Sequence, residues 1–239
     1  MLPYAPLKSK NFSFYVRFGK RWFDAVISFI GMLVLGPLLL LIAIAVRLTS
    51  PGPTLFSQVR AGQFEKPFRI LKFRTMSMAP PGSGPLITAS GDPRVTPLGR
   101  WLRKTKLDEL PQLINVLVGH MSLIGPRPEV PFYTSCYTEQ QKQVFSARPG
   151  ITGPSINFDE EESLAGRSDS EHFYFTTVMP AKLEIHRAYC ANIRFTEDLR
   201  ILFLTLGGLF RRPSPSTWSA GSVEDLSTVS RTPRAASQE

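Results

Sequence analysis

Read for the spacing of apolar and polar side chains, a basic flank (residues 1–21) gives way to an almost unbroken apolar run from Trp22 to Val46. As one straight helix, residues 22–46 would extend about 37 Å, enough to cross the hydrocarbon core of a bilayer. Gly36-Pro37 interrupts the middle of the run. Pro37 has no N–H to donate to the Leu33 carbonyl, and Gly36 permits a bend at little cost. Broken there, neither limb is long enough to span. A cleaved signal peptide fits poorly, because the run is too long and no small-residue cleavage site precedes Arg47, Thr49 and Pro51. Both flanks are basic: Lys8, Lys10, Arg17, Lys20 and Arg21 on one side, and Arg47, Arg60, Lys66, Arg69, Lys72 and Arg74 against the single acid Glu65 on the other. Cytoplasmic flanks carry this bias, so the pattern favours a re-entrant helix that dips in, kinks at Gly36-Pro37 and returns both flanks to anionic lipid. A spanning helix stays open as the alternative, since proline is tolerated within spanning helices.

Beyond the apolar run, turn residues bracket two short strands, near Leu55–Val59 and Phe68–Phe73, that read as a hairpin turning at Gly62. Residues 79–97 are rich in Pro, Gly, Ser and Thr and read as a loop over a site. "PLGRWLRKTK" (residues 97–106) alternates Leu98, Trp101 and Leu102 with basic residues, as in a helix lying in a membrane interface or resting one edge on a core. Leu107, Leu110, Ile114 and Leu117, with Leu113 beside them, form a helical core stripe. A helix over "EQQKQVFS" ends at Arg148-Pro149-Gly150 and passes into a loop, and residues 171–191 hold a longer helix begun or interrupted at Pro180. Residues 196–212 read as a helix with Thr196 at its N-cap, early acids Glu197 and Asp198, and an apolar body that contacts membrane or core. The Ser/Thr/Pro-rich residues 213–239 have little to bury and are expected to be disordered. The predicted fold is therefore α+β and mainly helical: a monotopic membrane-associated domain with a kinked re-entrant helix, a small β-hairpin and interfacial amphipathic helices, its cytosolic part spanning residues 47–212.

Charge narrows the partners. A formal net charge of +9 calls for something anionic, be it nucleic acid, a lipid surface or a phosphorylated substrate. Without an interleaved aromatic platform or a known module, nucleic acid is set aside. Cys136 and Cys190 stand far apart, and His120, His172 and His186 are scattered, so neither a disulfide framework nor a zinc site has support, and the histidines read as structural.

Against that basic background, "KLDELPQL" (residues 106–113) sets Asp108 and Glu109 side by side at a helix start. As a local matter this is capping: Asp108 at the N-cap, Glu109 in the first turn, and Pro111 where a missing N–H costs nothing. "GPRPE" (residues 125–129) follows, and its two prolines stiffen the backbone around Arg127, which suits a guanidinium that meets phosphate oxygens. Phosphate chemistry uses a divalent metal on one or two carboxylates together with a nucleophile. Asp108 and Glu109, with Lys72, Arg103, Arg127 and Arg148 brought near, would supply the parts.

The succession "KRWFD", an apolar run with a proline break, "FRILKFRTM", "LDELPQL", "SLIGPRPE" and "RPGITG", from about Lys20 to Arg212, resembles the bacterial sugar transferase family of monotopic phosphoglycosyl transferases. The resemblance implies transfer of a sugar 1-phosphate from a UDP-sugar to a polyprenol phosphate such as undecaprenyl phosphate, with release of UMP, as the first membrane step of glycan assembly. It implies Asp108 as nucleophile and metal ligand, forming a phospho-sugar aspartyl intermediate, and Glu109 as assistant in metal or proton handling. Phosphate would be held by Arg127, with Lys72, Arg103 and Arg148 as further ligands. It further implies Mg²⁺, with Mn²⁺ as a substitute, anionic lipid contacts, and a place on the cytoplasmic face of the bacterial inner membrane; self-association stays open. A helix start is expected to lower the Asp108 pKa and keep the nucleophile ionised. The sequence departs from the common pattern at Gly36-Pro37, where Ser-Pro is frequent, and after RPGITG, where "PSINFDEEESLAG" replaces a Trp-and-Gln stretch. On this resemblance the residues are expected to correspond to the catalytic unit, without the large N-terminal membrane domain of some relatives. The competing reading from another class is a non-catalytic membrane scaffold in which Asp108 and Glu109 only cap.

Overall fold

A computed structural model describes residues 14–77, 92–156 and 170–210. The apolar run forms α1 (Lys20–Thr49), preceded by a π-helical turn over Tyr15–Gly19. Helical structure continues through Gly36 and Pro37, so no break separates the two halves, and the helix is long and apolar enough to cross a membrane. One edge of α1 is buried near both ends and half-buried between them. Lys20, Asp24 and Ser28 are buried at its start, Phe23, Met32 and Leu35 pack beside Leu113 and Val116, and Ile42 and Val46 join Phe73 and Leu102 at its end. Phe29, Ile30, Leu33, Val34, Leu40 and Leu41 are exposed. Both ends are tied to the same body. Near the start, the Asp24 carboxylate accepts from Leu123 N at 3.0 Å; just past the end, the Arg74 guanidinium donates to Ser50 O at 2.7 Å.

The hairpin forms as the alternation requires: β1 (Leu55–Ala61) pairs antiparallel with β2 (Pro67–Phe73), Leu55 opposite Phe73 and Ala61 opposite Pro67. Phe68 and Ile70 are buried on one face of β2 and Phe73 on the other, in a separate cluster; by the same alternation Lys72 stands on the Phe68–Ile70 face, at the end of the strand. Next come α2 (Pro97–Lys104), capped by the Thr96 hydroxyl accepting from Gly99 N, a 3₁₀ turn over Leu107–Glu109, and α3 (Gln112–Val118). Leu102 is fully buried while Trp101 is exposed, so α2 does rest one edge on the core.

Two expectations about this region fail for one reason. Asp108 makes no cap, because Lys106 in a left-handed conformation and the 3₁₀ turn intervene, and Pro111 occupies the N-cap of a helix that starts only at Gln112. The tighter winding of that turn rotates the following face, so Leu113 and Val116 enter the core, Leu107, Leu110 and Leu117 are half-buried, and Ile114 is exposed.

After α3 the chain forms β3 (Ser122–Ile124), which pairs in parallel with β4 (Gly150–Thr152), where a loop is expected after Arg148-Pro149-Gly150. "EQQKQVFS" forms a 3₁₀ helix over Gln141–Ser146. A helical turn (Ser170–Phe173) and a π-helical turn (Tyr174–Val178) lead into α4 (Met179–Ala191), with Pro180 in its first turn. The last helix, α5 (Phe195–Phe210), begins ahead of Thr196. Its early acid Asp198 is fully buried and accepts from Lys20 Nζ at 2.5 Å, Tyr15 OH at 2.6 Å and Tyr189 OH at 2.6 Å. The expected disordered tail, the acidic loop at residues 159–162 and most of the loop over 79–97 lie outside the described residues.

Candidate active site

The site is assembled from three neighbouring pieces. α3 is clamped to β2 by Asn115, whose Oδ1 accepts from Leu71 N at 3.0 Å and whose Nδ2 donates to Arg69 O at 2.7 Å. That clamp sets the 3₁₀ turn carrying Asp108 and Glu109 beside Lys72. Lys72 Nζ donates to Glu109 Oε1 at 2.6 Å. Arg127 reaches the same oxygen at 3.1 Å from the loop that follows β3. This loop is knitted to β4 by close backbone packing: a Cβ on Gly125 would lie 2.3 Å from Arg148 O, and one on Gly153 would lie 2.1 Å from Gly125 O. Only glycine fits where "IGPRP" and "RPGITG" cross.

Asp108 and Glu109 are both buried, at 6% and 8% exposure, yet their charges are treated oppositely. Burial alone would raise Glu109, but Lys72 and Arg127 outweigh it and hold the carboxyl well below its usual range. Asp108 has no such ion pair. Burial, and then the charge of Glu109, push it from 3.8 to about 6, against weaker opposing pulls from Lys72, Arg103 and Lys106. The expected lowering at a helix start is thus reversed: the turn is a single 3₁₀ turn with little dipole, and desolvation dominates. Above about pH 6 the side chain is still ionised.

Asp108 Oδ1 is buried with no hydrogen-bond partner among the described residues, and Gln112 Nε2, one turn further on, is in the same state. Orphaned buried acceptors are uncommon and call for an explanation, of which a cation or ligand is one. No group of three or more His, Cys, Asp and Glu side chains able to cage a metal occurs among the described residues. What is present fits Mg²⁺ nonetheless, because that ion keeps several waters and is commonly held by one or two carboxylates plus substrate phosphates.

Of the residues expected to converge, Asp108, Glu109, Lys72 and Arg127 do so, and Arg103 on α2 is near enough to act on Asp108 through its charge. Arg148 is placed differently: its charged neighbours are Arg21 and Asp24, at the start of α1. Gly36 and Pro37 lie in α1, with no heavy atom within 4 Å of a Cβ on Gly36. His186 is buried against the Ser155 hydroxyl at 2.9 Å and lines, with Arg127 and Glu129, a cavity of ≈ 20 Å³. Sequence reasoning missed Asn115, Glu129, Lys182 and Asp198. Asn115 and Lys182 showed only as polar residues inside apolar patterns, Glu129 as the end of GPRPE and Asp198 as a helix-start acid, and such residues also occur on solvated faces.

A bacterial sugar transferase family profile matches residues 15–212. A UDP-glucose:undecaprenyl-phosphate glucose-1-phosphate transferase of Caulobacter vibrioides is 46% identical over 193 residues, covering 80% of this chain and 69% of that protein. A protein of the same description from Escherichia coli is 35% identical over 212 residues, covering 86% of this chain but 43% of that protein, so the present chain spans less than half of the longer relative. The exopolysaccharide production protein PSS of Rhizobium leguminosarum is 38% identical over 199 residues, or 78% of this chain and 92% of the relative.

Proposed function

Since the chain belongs to the bacterial sugar transferase family, we propose that it transfers a sugar 1-phosphate from a UDP-sugar to undecaprenyl phosphate or a related polyprenol phosphate, in a pathway that builds an exopolysaccharide or other glycan. The observation that carries this reading is the asymmetric acid pair. One carboxylate, Glu109, is spent on holding two cations in place, and the other, Asp108, is buried, unpaired and ionised at neutral pH. A capping pair in a scaffold has no need of that arrangement.

On this reading an Asp108 carboxylate oxygen attacks the β-phosphorus of the donor. The bond from that phosphorus to the bridging oxygen breaks, UMP leaves with the electron pair, and an aspartyl phospho-sugar remains. An oxygen of the polyprenol phosphate then attacks the same phosphorus, which returns the Asp108 carboxylate and yields a polyprenyl diphosphate sugar. Splitting the reaction lets a water-soluble donor and a lipid acceptor use one site in turn. Lys72 and Arg127, already held by Glu109, would meet the diphosphate oxygens, and Arg103 would add positive charge from α2. Asp108 would hold Mg²⁺ together with substrate phosphate, and the bound ion would offset charge on the diphosphate and on the departing UMP.

The anchoring of α1 supports a membrane dip. A helix with both ends tied to one body cannot place them on opposite sides of a ~30 Å hydrocarbon layer without drawing that body's charges in as well. The exposed apolar row then faces lipid, and a bend at Gly36-Pro37 would let the helix return. Both flanks and the site lie on the cytoplasmic face on this reading.

Donor labelled in its β-phosphate, supplied without acceptor, should leave label on the wild-type protein and none on Asp108→Asn; label that persists in the variant would remove Asp108 as nucleophile. A panel of UDP-sugars would identify the donor. Tags before Trp22 and after Arg212 should both be accessible only from the cytosol, and accessibility from opposite sides would establish a spanning helix.

A further inference from the structure

Two residues beyond Arg127, the Glu129 side chain turns away from the acid pair into an apolar core formed by Val130, Tyr133, Val178, Met179 and Leu183. There it meets a polar triangle. Lys182 Nζ, 1% exposed, donates to Glu129 Oε1 at 2.5 Å and to Tyr174 OH at 3.0 Å, and Tyr174 OH donates to the same carboxylate oxygen at 2.8 Å. Backbone bonds fix the same loop: Ala61 N donates to Glu129 O at 3.0 Å, Arg60 to Pro128 O at 3.1 Å, and Gly150 N to Pro126 O at 2.9 Å. With prolines on either side, Arg127 is carried by a backbone pegged just behind it.

A buried ion pair is weak evidence of stabilisation, since apolar side chains of similar volume often serve a core as well or better. This core is otherwise aromatic and aliphatic, and the Lys182 ammonium also stands 5.3 Å from the Tyr174 ring centroid. What the triangle does provide is direction: Glu129 has one satisfied position, and that position fixes the segment from which Arg127 reaches Glu109. We propose that Lys182 and Tyr174, acting through Glu129, are positioning residues for the Arg127 guanidinium. Because it concerns the phosphate-holding group of the site, the proposal rests on the transferase reading.

Removing one member alone would unbalance a buried charge pair, so the informative protein is the neutral pair Glu129→Gln/Lys182→Met. It should melt close to wild type. Its KM for the UDP-sugar should rise about 10-fold or more, the range seen when groups that orient a ligand-binding side chain are lost. Destabilisation alone would instead lower kcat through the active fraction and leave KM intact. In an Arg127→Ala background the paired substitution should have no further effect, because there is no guanidinium left to misplace. An unchanged KM, or losses that add independently of Arg127, overturns the proposal. Amide exchange provides a reading without turnover: Ala61 and Gly150, whose N–H groups donate to Glu129 O and Pro126 O, should exchange faster in the paired variant while β2 and α3 keep their protection, and unchanged exchange refutes it. Wild-type protein that releases no UMP with any UDP-sugar would sink the transferase reading, and the exchange measurement would still decide this one.

Discussion

Asp108→Asn should abolish transfer and at the same time stabilise the protein. Below pH 3.8 the carboxyl is protonated in both folded and unfolded chains and costs nothing. Between 3.8 and about 6 the unfolded chain gives up its proton first, so wild-type stability falls as pH rises; above about pH 6 both states are ionised and the full cost is present. At about 1.4 kcal/mol per pH unit, the difference between 3.8 and about 6 amounts to ~3 kcal/mol. An asparagine of the same shape carries no such cost. For a domain of this size ~3 kcal/mol corresponds to a melting temperature higher by about 6–12 °C at pH 7.5. The assay is thermal melting of both proteins in nanodiscs without divalent cations, at steps from pH 4 to 8. The gap should be absent near pH 4 and fully open above about pH 6. Equal melting at pH 7.5, or a gap that persists unchanged at pH 4, would refute the assignment of Asp108 as a buried, uncompensated carboxylate. Mg²⁺ with UDP-sugar should narrow the gap by stabilising wild type selectively, since only wild type keeps the carboxylate.

Other substitutions test the frame of the site. Asn115→Ala removes two hydrogen bonds to β2 and strands Leu71 N, so it should cost about 2–3 kcal/mol in chemical unfolding and impair transfer by freeing Lys72 from the acid pair. Gly125→Ala forces a Cβ to within 2.3 Å of Arg148 O and should cost about 3 kcal/mol or prevent folding, read as loss of soluble yield and melting temperature. Asp198→Ala strips the buried partner from Lys20 and should cost about 3–5 kcal/mol, with proteolysis near the start of α1 as the earliest sign of loosening.

The features legible in the sequence are those that repeat locally. The apolar run, the hairpin with its turn at Gly62, the basic helix after Thr96 and the helices at 179–191 and 195–210 each follow from a period or a breaker. The convergence of the acid pair with Lys72 and Arg127 was expected from reading two adjacent carboxylates and a proline-braced arginine as parts for phosphate chemistry, and the structure brings Glu109 against both cations. Long-range pairing was not. β3 and β4 are three residues each, and their parallel register is set by glycines that permit close backbone approach, which no local pattern reports. The Asp108 environment was misjudged for a similar reason: a helix start suggests a low pKa, while the deciding quantity is burial by residues distant in sequence.

The acid pair is best understood as a division of labour enforced by geometry. If Lys72 and Arg127 were shared equally between the two carboxylates, Asp108 would be neutralised by permanent partners and would have to break those bonds before attacking phosphorus. Concentrating both cations on a single Glu109 oxygen avoids this: Glu109 stays charged and fixes the cations, while Asp108 keeps its oxygens uncommitted. On the proposed reading, an incoming diphosphate finds donors already ordered, and ordering them during the reaction would otherwise add to the barrier. The cost is an unpaired buried carboxylate, and the stability gained by Asp108→Asn is a direct measure of how much the fold gives up to keep it.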